Sequence, residues 1–265
     1  MIKKIFLPFI ILLICFLLVI NYLSYKSPTE TKLITQQKAY SLSGDTNLKI
    51  LMYTNRKTAY QEKEAFDVVF LCDFDETKKL NLELLNISKS SKYEYLKEKY
   101  QEYQYTFKLP ILNADFFIEE AYLYIRLKNG NEQKFKVGSF DYYYIEELLN
   151  ITELFGKRYA DFPTLESVSI RFSLTEDIYI NNIILTKNLF TYVGKTVTDN
   201  ELITINFDKL DKITDELTIK IDYHINGEQY ESITPYFIFY ETFENPLIYG
   251  VLNNVYLLDW NKKPF

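Results

Sequence analysis

Hydrophobic and polar positions fall into two regimes along this chain. From Ile5 to Leu23 the residues are apolar with no charge among them, IFLPFIILLICFLLVINYL. Beyond about Asp45 the dominant pattern is alternation of apolar and polar residues. The first regime predicts a helix. At about 1.5 Å per residue it nearly covers the roughly 30 Å hydrocarbon core of a bilayer, and a helix satisfies its own amides there. Pro8 falls in the first turn, where a missing N–H costs little, and Asn21 and Tyr22 fall at the far end, at interface depth. The run is longer than the roughly 7–15 residues of a signal peptide, and no small-residue cleavage site follows it. Leu12-Leu13-Ile14 before Cys15 is also not a lipoprotein pattern. Lys3 and Lys4 precede the run while Lys26, Glu30 and Lys32 follow it. The balance predicts an uncleaved, single-pass anchor with the N-terminus cytoplasmic and the body extracytoplasmic.

The second regime predicts strands. Period-two alternation marks Asn47–Thr54, Ala65–Cys72, Lys79–Ile87 and Phe116–Leu127, then Glu166–Ser173, Asp177–Leu185 and Glu201–Phe207. Asn129-Gly130 and Asn226-Gly227 each sit between alternating runs and predict hairpins, because such turns need positive φ. In Leu217–Ile225 the residues Leu217, Ile219, Ile221, Tyr223 and Ile225 share one face, opposite Thr218, Lys220, Asp222 and His224. Leu247–Trp260 reads as a last apolar strand region. One interruption is expected at Asp141–Gly156. There Ile145, Leu148, Leu149, Thr152 and Phe155 recur at helical spacing and Gly156 stands where a C-terminal cap would.

Short strands with turn signals and one isolated helix argue for antiparallel sandwiches, not βαβ units. The expected organisation is a transmembrane anchor over 1–24, a polar tether over 25–45, a first β-sandwich module over 46–140, a helical connector over 141–162 and a second β-sandwich module over 163–265. The modules are Ig-like or jelly-roll-like, with one large sandwich as the alternative.

Composition narrows the function classes. A net charge of −6 removes the basic footprint of a nucleic-acid binder and disfavours anionic lipid surfaces. Of the two cysteines, Cys15 lies inside the predicted anchor and Cys72 stands alone in the body, so no intramolecular disulfide forms. Cys72 follows Val68-Val69-Phe70-Leu71 and reads as a small buried hydrophobe.

Most catalytic chemistries lack their residues. His224 is the only histidine, it falls on the polar face of a hairpin arm, and no G-x-S-x-G elbow accompanies it. It reads as a surface residue. A zinc site needs three or four His or Cys ligands, and the body offers His224 and Cys72 alone. Asp73-Phe74-Asp75-Glu76 gathers carboxylates after a strand but lacks the EF-hand glycine, and reads as a solvated turn. No phosphate-cradling glycine loop is present, and no cofactor is expected. The 36 Asp and Glu residues offer many carboxylate pairs for glycoside hydrolysis, with no spacing that selects one. Asn86-Ile87-Ser88 and Asn150-Ile151-Thr152 match the glycosylation acceptor pattern.

The densest local feature is the tyrosine cluster Tyr93, Tyr95, Tyr100, Tyr103 and Tyr105, interleaved with Lys and Glu. Tyrosine offers large contact area at low entropy cost, so these five are the candidate binding residues. The competing reading is that half of them pack on the core. The stretch Leu165–Leu185, LESVSIRFSLTEDIYINNIIL, resembles the strand–turn–strand ending of jelly-roll carbohydrate-binding modules, although Trp260 is the lone tryptophan. The resemblance covers that stretch alone and assigns no family. The expected protein is not an enzyme. It is held in the bilayer by Ile5–Leu23 and meets a protein or glycan partner outside, in a binding or envelope-assembly role. A cell-envelope carbohydrate-binding module and a carboxylate-dependent glycoside hydrolase are the alternatives.

Overall fold

The computed structural model describes residues 14–15, 30–145, 148–187, 189–214, 216–238 and 245–258. The predicted anchor, Ile5–Leu23, lies outside the described residues except for Ile14 and Cys15, which are helical. No helix among the described residues is long and apolar enough to cross a membrane.

Among the described residues the body is all β, with antiparallel sheets and only short 3-10 turns besides. Its strands are β1 (Thr31–Gln36), β2 (Lys38–Ser43), β3 (Leu48–Thr54), β4 (Phe66–Cys72) and β5 (Lys79–Asn81). There follow β6 (Glu83–Tyr95), β7 (Glu98–Lys108), β8 (Phe116–Leu127), β9 (Glu132–Tyr143) and β10 (Ile151–Arg158). Next come β11 (Leu165–Phe172), β12 (Ile178–Thr186), β13 (Leu189–Val197) and β14 (Leu202–Asn206). The chain closes with β15 (Glu216–Leu217), β16 (Lys220–Ile225), β17 (Glu228–Ile233), β18 (Phe237–Ile238) and β19 (Asn253–Leu258).

Two sheet pairs each enclose a core. A five-stranded sheet, β19-β1-β3-β7-β6, and a seven-stranded sheet, β18-β15-β2-β9-β8-β4-β5, bury Leu33, Leu48, Ile50, Tyr105, Phe107, Leu123 and Phe135 among others. A three-stranded sheet, β10-β11-β14, and a four-stranded sheet, β13-β12-β16-β17, bury Val168, Ile170, Phe172, Ile180, Ile183, Ile205 and Ile221. Alternation along β11 and β16 sends these β-branched and aromatic side chains inward, as their pattern predicts. The Asn226-Gly227 hairpin joins β16 to β17 with both turn residues at positive φ. At Asn129-Gly130 only Gly130 is left-handed, because the loop is one residue longer.

The chain departs from its sequence pattern in three places. The polar stretch assigned to a tether over 25–45 contains β1 and β2, both almost wholly buried. Leu33 faces the first core and Ile34 a satellite cluster on the other side of the sheet, so β1 is covered on both faces and shows no alternation. β2 is flanked by parallel partners, β9 and β15, which adds parallel pairing to an otherwise antiparallel fold.

No helix occurs among the described residues of the predicted helix at Asp141–Gly156. Asp141–Tyr143 completes β9 and Ile151–Arg158 is a strand paired with β11. The register of that pair shifts between Ile151 and Glu153, which leaves Thr152 as an extra residue. The bulge turns both Ile151 and Leu154 toward the second core, so a three-residue apolar spacing arises without a helix. Finally, residues 163–265 do not all serve the second core. β15 and β18 join the seven-stranded sheet, and β19 pairs with β1.

Gly138 marks where the backbones meet. Its φ is +125°, and a Cβ there would stand 1.9 Å from the Lys38 carbonyl oxygen of the parallel neighbour β2. Only glycine fits that approach.

Candidate functional site

The five tyrosines of the sequence cluster are divided between the two faces of one sheet. Tyr103 and Tyr105 lie opposite Met52 and Ile50 across β7 and β3 and turn toward the first core. Tyr105 is fully buried, donates to the Tyr60 carbonyl at 2.7 Å, and its hydroxyl is pushed up by burial. Tyr93, Tyr95 and Tyr100 are on the reverse face with Ile34, Tyr53 and Leu247. There the segment 245–252 folds back over them: Asn245 donates to the Glu94 carbonyl at 2.7 Å, and Gly250 approaches the Tyr95 hydroxyl. Tyr100 is buried and donates to Glu98 at 2.9 Å. Tyr93, Tyr95 and Tyr103 are partly buried.

The cysteine and the acidic turn have local roles. Cys72 is buried in β4, and burial pushes its thiol up. In the acidic turn Asp73 accepts from Thr77 at 2.6 Å and from the Lys78 amide at 3.0 Å, while Glu76 pairs with Lys134 at 2.6 Å. No group of three His, Cys, Asp or Glu that could hold a metal occurs among the described residues.

An exposed aromatic face does exist, in the second unit. The outward positions of β13-β12-β16-β17 form three rows read from the register. One row is Tyr192, Asn182, Asp222 and Glu231, and the next is Thr196, Tyr179, His224 and Gln229. The third is Phe190, Ile184, Lys220 and Ile233. Phe190 is 60%, Tyr192 69% and Tyr179 37% exposed. Each alternates with an inward neighbour, since Ile178 and Ile180 flank Tyr179 in the core.

The face is held in shape by short-range contacts. β13 bulges at Val193-Gly194, where two residues oppose one on β12. Gly194 is left-handed with φ +56°, and a Cβ there would stand 2.6 Å from the Tyr192 ring. The glycine therefore makes the space in which that ring lies. The Tyr192 and Tyr179 hydroxyls are 3.3 Å apart, a contact that pushes the Tyr179 hydroxyl up. Tyr179 in turn leans on His224, with ring centroids 6.5 Å apart. The Asn181 side-chain nitrogen lies 2.8 Å from His224 Nδ1.

Charge is placed beside the rings, not under them. Burial pushes the Asp222 carboxyl up despite the nearby Lys220 and a hydrogen bond from the Asn182 side chain. Lys220 bonds Glu231 at 2.8 Å and lies 3.7 Å from Asp115 of the first unit. The face thus offers three rings, carboxylates, amides and an imidazole. It can bind. It holds no nucleophile–base pair.

A cleft of about 100 Å³ lies where the units adjoin, lined by Lys78, Phe117, Asp141, Lys187, Leu210 and Lys212 among others. Asp141, at the end of β9, is 4% exposed and accepts from the Lys187 amide at 3.4 Å. Burial outweighs the lysines and pushes its carboxyl up to about 7.

No family model matches the chain, and no curated protein matches it. A solved structure, that of the YadV chaperone, is similar over 78% of this chain and 99% of its own, at 6% identity and a TM-score of 0.25. A score that low carries no argument.

Sequence reasoning missed Tyr179, Asn182, Phe190, Tyr192 and Asp222 as a set, because they come from three strands. The available signal was local. In Leu189–Val197 two aromatics alternate with Leu189, Thr191 and Val193 ahead of a mid-strand glycine.

Proposed function

We propose that this protein is a membrane-tethered, extracytoplasmic β-sandwich binding protein, and that it engages its partner through the outer face of β13-β12-β16-β17. The observation that carries the reading is the set of exposed rings Tyr179, Phe190 and Tyr192 on one sheet face, with Tyr192 seated over Gly194. Monomers leave apolar residues exposed singly, whereas several rings arranged together on a rigid face support a contact role. The uninterrupted apolar run Ile5–Leu23 supports the tether, and the lysine bias around it supports the orientation.

Two measurements test this. In intact cells, a cysteine engineered near Lys262 is expected to react with a membrane-impermeant thiol reagent, and labelling only after lysis would end the extracytoplasmic reading. A photo-crosslinking residue at Thr196 is expected to capture an adduct in the intact membrane that is lost in Tyr192→Ala. Adducts from Tyr95 and none from Thr196 would move the binding face to the first unit.

A further inference from the structure

We infer that the aromatic face of β13-β12-β16-β17 binds a neutral polysaccharide with a flat, β-1,4-linked pyranose backbone. The inference rests on the reading of this face as the binding face and names its ligand class.

The chemistry follows from what lies beside what. An aromatic ring presents a negative π face, and the axial C–H bonds of a pyranose present a weakly positive apolar one, so the two stack. Phe190 and Tyr192 are two residues apart on one strand, which puts them about 7 Å apart along it. Tyr179 stands on the adjacent strand, joined to Tyr192 through their hydroxyls at 3.3 Å. Rings placed this way on an open sheet suit an extended, flat chain and not a compact small molecule, which needs a concave pocket.

Hydroxyl groups at the edge of a sugar ring need donors and acceptors beside the stacking surface. The row of Tyr192 continues into Asn182, Asp222 and Glu231, and the row of Tyr179 into His224 and Gln229. The same carboxylates argue against two other occupants. Acidic residues are depleted in the buried centres of protein interfaces, yet here they share the row of the most exposed ring. An anionic polymer would meet Asp222 and Glu231 with one lysine, Lys220, already engaged by Glu231. Gly194 gives the site its preorganisation, because it lets Tyr192 lie in place before ligand arrives.

The test is calorimetric titration of the full chain in detergent micelles with chitohexaose and cellohexaose. Maltohexaose serves as a curved comparison and polygalacturonate as an anionic one. Wild type is expected to bind at least one of the flat oligosaccharides at micromolar to millimolar concentration, and neither comparison polymer. Tyr192→Ala and Phe190→Ala are each expected to weaken binding about three- to tenfold. Asp222→Asn, which keeps the shape, is expected to weaken it by less. Gly194→Ala is expected to match Tyr192→Ala although it removes no contact atom. Saturation-transfer NMR is expected to place the strongest signals on ring C–H protons. Absence of binding to both flat oligosaccharides, or binding unchanged in Tyr192→Ala, would overturn the inference. A crosslink from Thr196 to a protein, with no oligosaccharide binding, would overturn the ligand class and keep the binding face. Loss of both results would remove the face as well.

Discussion

The molecule contains two groups of aromatic residues with opposite fates. Tyr93, Tyr95, Tyr100, Tyr103 and Tyr105 are close in sequence, and the pleat sends them to both faces of a sheet whose faces are both covered. Tyr179, Phe190 and Tyr192 come from two strands, and the pleat brings them to one face and leaves them exposed there, while first-unit residues reach its far part at Lys220. The difference lies in what packs over each sheet. Over the first unit, residues 245–252 return from the end of the chain and close the reverse face around Leu247. Aromatic density along a sequence is therefore a poor guide to an aromatic surface, since alternate residues on a strand point apart.

Changes in the first region are expected to cost stability and changes in the second to cost binding. The largest expected effect is that of Tyr105→Ala, which empties a fully buried ring site and should lower unfolding free energy by about 3–5 kcal/mol in chemical denaturation. Gly138→Ala should act on the same order, since the added methyl meets the Lys38 backbone and φ +125° suits glycine alone. Leu247→Ala, at the centre of the satellite cluster, should cost about 2–5 kcal/mol and leave Tyr93, Tyr95 and Tyr100 open to tyrosine-directed iodination. Protection unchanged in that variant would mean that 245–252 is not their cover.

The joint between the units responds to pH. The Asp141 carboxyl titrates near 7 in the folded chain against 3.8 ordinarily, so the folded state holds the extra proton between those values. Stability from this group is full below about pH 4 and falls as pH rises through 7, by at most a few kcal/mol. Asp141→Asn is expected to remove that decline and raise the neutral-pH melting temperature. A variant that melts in parallel with wild type across pH 4–8 would show that Asp141 is already solvated.

The smallest effect on stability is expected at the outer face. Tyr192→Ala should change unfolding free energy by about 0.5 kcal/mol or less, because its ring is mostly in water. A loss as large as that of Tyr105→Ala would make Tyr192 a structural residue and end the contrast between the two regions.

By itself the sequence determined the β character of the body, most strand positions and the inward set of the β16 hairpin. These depend on local period and on turn residues such as Asn226-Gly227, which need no distant partner. His224 was legible in the same way as an outward residue of that arm, though not as the neighbour of Tyr179. Four things needed the tertiary structure. β1 and β2 are buried on both faces, which erases alternation, and the bulge at Thr152 gives a strand the spacing of a helix. The return of β19 to β1 joins residues more than 200 positions apart, and no local pattern encodes such a pairing. The aromatic face arises because register sets Tyr192 beside Asn182 and Tyr179 beside His224. A one-residue slip in either pairing would send those rings inward, so the face is a property of register and of what leaves it uncovered.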